Sequence, residues 1–144
     1  MPERDRYHGV VKRALVKDGW TITHDPFVLP FGEYNLFVDL GAETPIAAER
    51  EGRRIAVEIR SFLGLSPVTE LERAVGQYAL YDAVLAETEP ERALYLAVSV
   101  EAHRGVFQKA LGRLIVERQG AKLLVFDPEK EAIVEWVERP GTAR

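Results

Sequence analysis

The chain has 144 residues, 47% apolar and 29% charged, with a formal net charge of −4, values ordinary for one soluble domain with a real core. It has no cysteine, which excludes disulfides, thiolate zinc sites and cysteine nucleophiles. The mild acidity excludes a global basic footprint, so any nucleic-acid contact must rest on local patches. No signal peptide is visible at Met1–Arg6 and no apolar run nears the ~20 residues of a membrane span, so the expected location is the cytoplasm.

Tyr7, Val10, Val11, Ala14 and Leu15 recur at helical spacing and predict a first helix over Asp5–Lys17. Asp18 and Gly19 supply its stop. Lys12, Arg13 and Lys17 lie toward its C-terminus, where the helix dipole favours cations. They form either a solvated basic face or a basic patch beside a site. His8, one turn inside, is expected at the surface or half-buried. Trp20–His24 alternates as a first strand, and Asp25–Glu33, with Pro26, Pro30 and Gly32, reads as a loop. Asn35–Leu40 is expected as a second strand, ending at Asp39. After Pro45, Ile46–Glu49 is a further short strand or the continuation of a bent one. Glu51 and Gly52 then turn the chain, so Ile46–Ile59 has the pattern of a hairpin.

Ser66 and Pro67 mark a helix start, as N-cap and first helical residue. The helix is expected to reach about Ala86, burying Leu71, Val75, Tyr78, Ala79 and Val84. Ala93–Val98 is apolar on both faces, as a central strand should be. Glu101–Gln119 is predicted helical with a break near Gly112 and a stop at Gly120. Lys122–Phe126 and Ala132–Val137 flank the turn signal Asp127–Lys130 and predict a terminal hairpin. A single domain over residues 1–138 with a frayed tail, Arg139–Arg144, follows. The order is that of an α/β domain with a mixed sheet between helices.

The most informative stretch is Arg54–Phe62. Ile55, Val57 and Ile59 alternate with Ala56, Glu58 and Arg60, so one face of a core strand is β-branched and the other carries a carboxylate and a guanidinium about 7 Å apart. Charges on a core strand are avoided unless paired or used. Asp39 lies upstream with 18 residues between it and Glu58. Two carboxylates brought together repel unless a divalent cation sits between them. Downstream, Gln77 and Tyr81 stand one helical turn apart, with Glu70 on the same face and Arg73 near its edge. Each feature has an ordinary explanation: Asp39 as a turn former, Glu58 and Arg60 as a same-face ion pair, Gln77 and Tyr81 as the polar rim of a core.

Taken in order, Asp39, Glu58-Ile59-Arg60 and Gln77-Tyr78-Ala79-Leu80-Tyr81 resemble the PD-(D/E)xK nuclease superfamily, whose core is αβββαβ. The resemblance covers about Tyr7–Val98. A fuller resemblance, to the XisH family, spans nearly the whole chain. It rests on Val16–Pro26, Leu36–Glu43, Ile55–Ile59, Gly76–Tyr78, Glu89–Arg92 and Val125–Lys130. That family is named for control of fdxN-element excision, a developmentally regulated DNA rearrangement in cyanobacteria.

The resemblance implies a restriction-endonuclease-like αβββαβ core with a mixed central sheet, followed by a helical segment and a β-hairpin. It implies an endonuclease-like factor controlling excision of a DNA element, hydrolysing phosphodiesters with Mg²⁺ (or Mn²⁺) if active. In that picture Asp39, Glu58 and the Ile59 carbonyl hold the metal, residue 60 orients water or offsets phosphate charge, and Gln77 and Tyr81 brace the site or touch DNA. His8 stands where related nucleases carry a Glu or His near the metal. Lys12, Lys17, Arg60 and Arg73 are the candidate DNA contacts. DNA, a small XisI-type protein and a site-specific recombinase are the implied partners, with a homodimer as one assembly. Position 60 departs from the pattern, which has Lys. Arg effectively cannot lose its proton to act as a base, although it can clamp a phosphate bidentately. The alternative is a non-catalytic regulatory module on the same fold that binds a XisI-type partner, DNA, or both.

Overall fold

A computed structural model describes residues 6–35, 45–62 and 66–138. Its frame is a six-stranded mixed sheet between helices. Helix α1 (His8–Lys17) buries Val11, Ala14 and Leu15 and ends at Asp18, with Gly19 at φ 96° providing the left-handed exit. Strand β1 (Thr21–His24) follows. The predicted loop after it contains a small ribbon, β2 (Pro30–Phe31) and β3 (Tyr34–Asn35), turning at Gly32 (φ 60°). Of the predicted strand Asn35–Leu40, Asn35 closes β3 and the remainder, Asp39 included, lies outside the described residues.

Strands β4 (Ile46–Arg50) and β5 (Arg53–Ile59) pair antiparallel from Ile46 opposite Val57 to Arg50 opposite Arg53, the expected hairpin. Helix α2 (Pro67–Thr88) starts where predicted: the Ser66 hydroxyl accepts the Thr69 N–H at 3.2 Å and Pro67 opens the first turn. It runs two residues past the expected Ala86. Strand β6 (Ala93–Ser99) lies parallel to β5 and to β7 (Leu123–Asp127), buried on both faces between them. Strand β8 (Ala132–Val137) closes the sheet, antiparallel to β7, in the order β1-β4-β5-β6-β7-β8.

The helical region before β7 is broken elsewhere than at Gly112. Helix α3 (Val100–Arg104) gives way at Gly105 to a 3₁₀ turn, Val106–Gln108, and helix α4 (Ala110–Gln119) then runs through Gly112. A Cβ at Gly112 would sit 2.1 Å from the Val106 carbonyl oxygen and 2.8 Å from the Phe107 Cα. Glycine is required there for close backbone approach, not as a breaker. Gly120 stops α4 in the left-handed conformation, as expected.

The alternation along β5 separates two cores. Ile55, Val57 and Ile59 join Val11, Leu15, Tyr95, Leu124 and Phe126 on the α1 side. Ala56, with Leu94, Leu96 and Val98, meets Leu71, Ala74 and Tyr81 of α2 and Phe107 and Val116 on the other. The chain's first helix is stapled to its last hairpin: Arg13 donates Nε and Nη2 to the Glu131 carboxylate at 2.8 and 2.7 Å, and Lys17 donates to the Lys130 carbonyl at 2.7 Å. Among the described residues no helix is long and apolar enough to cross a membrane.

Candidate functional site

β5, β6 and β7 are parallel, so their carboxyl ends share one edge of the sheet, the edge where open α/β sheets place ligands. β1 is antiparallel to β4 and so points the same way as β5. The residues just beyond β1 and β5 therefore meet at that edge.

Glu58 and Arg60 stand on the β5 face turned to α2. Glu58 is fully buried, Arg60 is 4% exposed, and Glu58 Oε2 lies 3.9 Å from Arg60 Nε. The Arg60 N–H donates to the Ala97 carbonyl at 3.1 Å, extending the β5–β6 ladder beyond Ile59. α2 brings Tyr81, fully buried, and Gln77, half-buried one turn earlier, against this face of the sheet. The side-chain oxygen Oε1 of Gln77 is buried with no hydrogen-bond partner among the described residues. Between them in sequence, Tyr78 is a structural member. Its hydroxyl donates to the Leu94 carbonyl at 3.0 Å and accepts the Lys122 N–H at 3.1 Å. Burial, with the charges of Asp82 and Glu58 in addition, outweighs the Lys122 hydrogen bond and pushes it up to about 12.

A second cluster sits at the same edge. His8 Nε2 lies 2.7 Å from Asp25 Oδ1, and Lys12 Nζ lies 2.6 Å from Asp25 Oδ2. Burial raises the Asp25 carboxyl, but the hydrogen bonds and charges of Lys12 and His8 outweigh it and leave it lowered. Beside these groups Tyr7, Ser61, Phe62, Ser99 and Glu101 line a cleft of about 280 Å³ at the ends of β5 and β6. The Tyr7 ring meets Phe126 edge-on at 5.4 Å. Phe62, held at φ 56°, meets Phe107 in the same manner at 5.2 Å. Positive φ is costly for a bulky residue, so the chain is held out of its preferred conformation two residues after Arg60.

The XisH protein family model matches residues 1–134. The chain belongs to the XisH family. A solved XisH family protein from Nostoc punctiforme PCC 73102 is 41% identical, with TM-score 0.85, covering 93% of this chain and 100% of its own. A solved fdxN element excision controlling factor protein from Anabaena variabilis is 42% identical, with TM-score 0.84, covering 92% and 98%. Among curated proteins none matches.

Within this XisH fold the structure brings Glu58, Arg60, Gln77 and Tyr81 to one β5–α2 interface and sets His8 at the same end of the sheet. His8 is buried rather than surface-lying, because Asp25 accepts its ring N–H there. The Ile59 side chain belongs to the α1-side core. The candidate DNA contacts are dispersed: Lys12 is held by Asp25, Lys17 by the Lys130 carbonyl, Arg60 is buried, and Arg73 is exposed on α2. The residue missed in the sequence was Asp25. The Asp-Pro pair read only as loop chemistry, and its partners lie 17 and 13 positions earlier.

Among the described residues no group of three or more His, Asp or Glu side chains converges; Asp39, the second carboxylate of the expected pair, lies outside them.

Proposed function

We propose that this chain is an excision controlling factor of the fdxN-element type, built on a restriction-endonuclease-like frame. It acts by binding DNA and a small XisI-type partner rather than by cutting. The likeness to the Anabaena variabilis factor along nearly the full chain supports the first half. The observation that carries the second half is the buried Glu58–Arg60 pair. At the position where the nuclease pattern has a lysine, a guanidinium lies 3.9 Å from the carboxylate. Such a group can offset carboxylate or phosphate charge, but it supplies no base.

The test is cleavage and binding on plasmid and branched DNA, with Mg²⁺ or Mn²⁺, for wild type, Glu58→Gln and Arg60→Lys, each with and without the XisI-type partner. The expected result is binding without cleavage by wild type. Wild-type cleavage abolished by Glu58→Gln overturns it.

That overturning result would establish a second reading, metal-dependent hydrolysis. One observation favours it: Gln77 and Tyr81 are presented one turn apart against the sheet face that carries Glu58. In that reading Asp39 contributes the second carboxylate beside Glu58 and the Ile59 carbonyl.

A further inference from the structure

The cleft at the ends of β5 and β6 opens where the buried Glu58–Arg60 pair stops. Ser61 and Phe62 follow Arg60 directly, and Ser99 ends β6 beside them. A volume of about 280 Å³ admits one planar ring system and excludes a duplex, whose major groove alone is about 12 Å wide. Two of the lining side chains are aromatic, Tyr7 and Phe62. Each ring is buttressed edge-on by a core ring, Phe126 and Phe107 respectively. A fixed aromatic surface is what an unstacked base needs in place of its neighbours. Phe62 keeps its place at φ 56°, a conformation costly for a bulky side chain and retained where its position matters.

The polar groups of the cleft restrict what can enter. Ser99 is 3% exposed and its Oγ accepts the Ala102 N–H at 3.2 Å, so its own hydroxyl hydrogen is left to donate. Glu101, exposed at the rim, supplies a carboxylate, an acceptor. A ligand must therefore present an acceptor and a donor together. Among the described residues lining the cleft Glu101 is the only charged one, so a phosphate is repelled. Lysine and arginine side chains offer donors without an acceptor. The edge of an unpaired base offers both: cytosine and adenine set an exocyclic amine beside a ring-nitrogen acceptor.

We propose that this cleft holds a single unpaired base of a DNA strand, so that the chain recognises distorted or branched DNA in preference to continuous duplex. The base lies against Tyr7 and Phe62, donates its amine to Glu101 and accepts from Ser99, while its phosphates stay outside. Taking a base out of the stack costs least where it is already unpaired, and that is the source of the preference. This role rests on the DNA-binding reading above and adds to it the form of DNA that is recognised.

The experiment is fluorescence anisotropy of the full chain with three end-labelled DNAs of one sequence. One is fully paired, one carries a single unpaired cytosine, and one carries an abasic residue in place of that cytosine. Wild type should bind the unpaired cytosine about tenfold more tightly than either of the others. Glu101→Ala and Tyr7→Leu, checked for unchanged circular dichroism and unfolding midpoint, should each erase most of that preference. Glu101→Gln, which keeps an acceptor, should retain part of it. Glu101 is exposed, so its variants decide the matter should Tyr7→Leu disturb the fold. Equal affinity of wild type for all three DNAs overturns the base pocket and leaves the DNA-binding reading standing, whereas binding to none of them overturns both. A Glu101→Ala variant that keeps the preference, or that weakens all three DNAs alike, also overturns the pocket. Loss of the XisI-type partner in such a variant would mark the cleft as a protein site instead.

Discussion

Removing the guanidinium from Arg60 while keeping Glu58 tests whether the buried pair is a unit. In Arg60→Met a carboxylate with no solvent exposure loses the cation 3.9 Å away. At an effective dielectric constant of about 20, two charges at that spacing attract by about 4 kcal/mol. Breaking one side of a buried pair costs about 3–5 kcal/mol, because the remaining charge stays desolvated. With a urea m-value of roughly 2 kcal/mol per molar, the unfolding midpoint should fall by about 1.5–2.5 M. Glu58→Gln/Arg60→Met removes both charges and should recover most of that loss, since a neutral pair of similar volume is often as stable as the ions. The double-mutant cycle from urea unfolding followed by circular dichroism gives the coupling directly. A coupling below about 0.5 kcal/mol would mean that the two groups do not sense each other, and the reasoning from burial and distance would be refuted.

Two glycines in helices should respond oppositely to alanine. Gly112→Ala drives a Cβ to 2.1 Å from the Val106 carbonyl and should destabilise by about 1–3 kcal/mol despite better helix propensity. Gly76→Ala meets nothing within 4 Å and should stabilise by about 0.5–1 kcal/mol in thermal unfolding. Tyr78→Phe leaves the Lys122 N–H and the Leu94 carbonyl without the hydroxyl that joins them, a loss of about 1–3 kcal/mol by urea titration. In base, Tyr78 and Tyr95, the latter raised by burial and then by its hydrogen bond to Glu138, both ionise at about 12 when folded. Stability from them is full below the ordinary value of 10.0 and should fall between there and about 12, a slope that Tyr78→Phe reduces. In acid, the lowered Asp25 carboxyl contributes stability that is full above its ordinary value of 3.8 and lost as pH falls through the folded value beneath it. A melting-temperature series for Asp25→Asn should show a shallower acid slope than wild type, and identical slopes would dissociate the His8–Lys12–Asp25 cluster from acid stability.

What the sequence made legible was local or periodic. Period-two alternation placed β5 with Glu58 and Arg60 on the opposite face from Ile55, Val57 and Ile59. Ser66 and Pro67 fixed the start of α2, and Gly120 the end of α4. What it hid depended on tertiary contacts. Gly112 reads as a breaker because its reason for being glycine, the Val106 carbonyl, comes from a different turn of chain. Pro30 and Gly32 read as loop, although the two-residue strands they border pair with each other. Of the site, the β5–α2 half was visible from spacing. The His8–Asp25–Lys12 half was not, because no periodicity joins a helix's first turns to the residue beyond the next strand.

The Arg13–Glu131 and Lys17–Lys130 staple has a consequence for how the protein is made. Synthesis is vectorial, and domains consolidate as their distant partners emerge. α1 leaves the ribosome early, yet the groups that fasten its outer side lie 118 and 113 positions later. Closing contacts of such separation is slow relative to local structure. The helix that contributes His8 and Lys12 thus stays unfastened on that side until this hairpin has emerged, whereas its contacts to Asp25, 17 and 13 positions away, need no such wait.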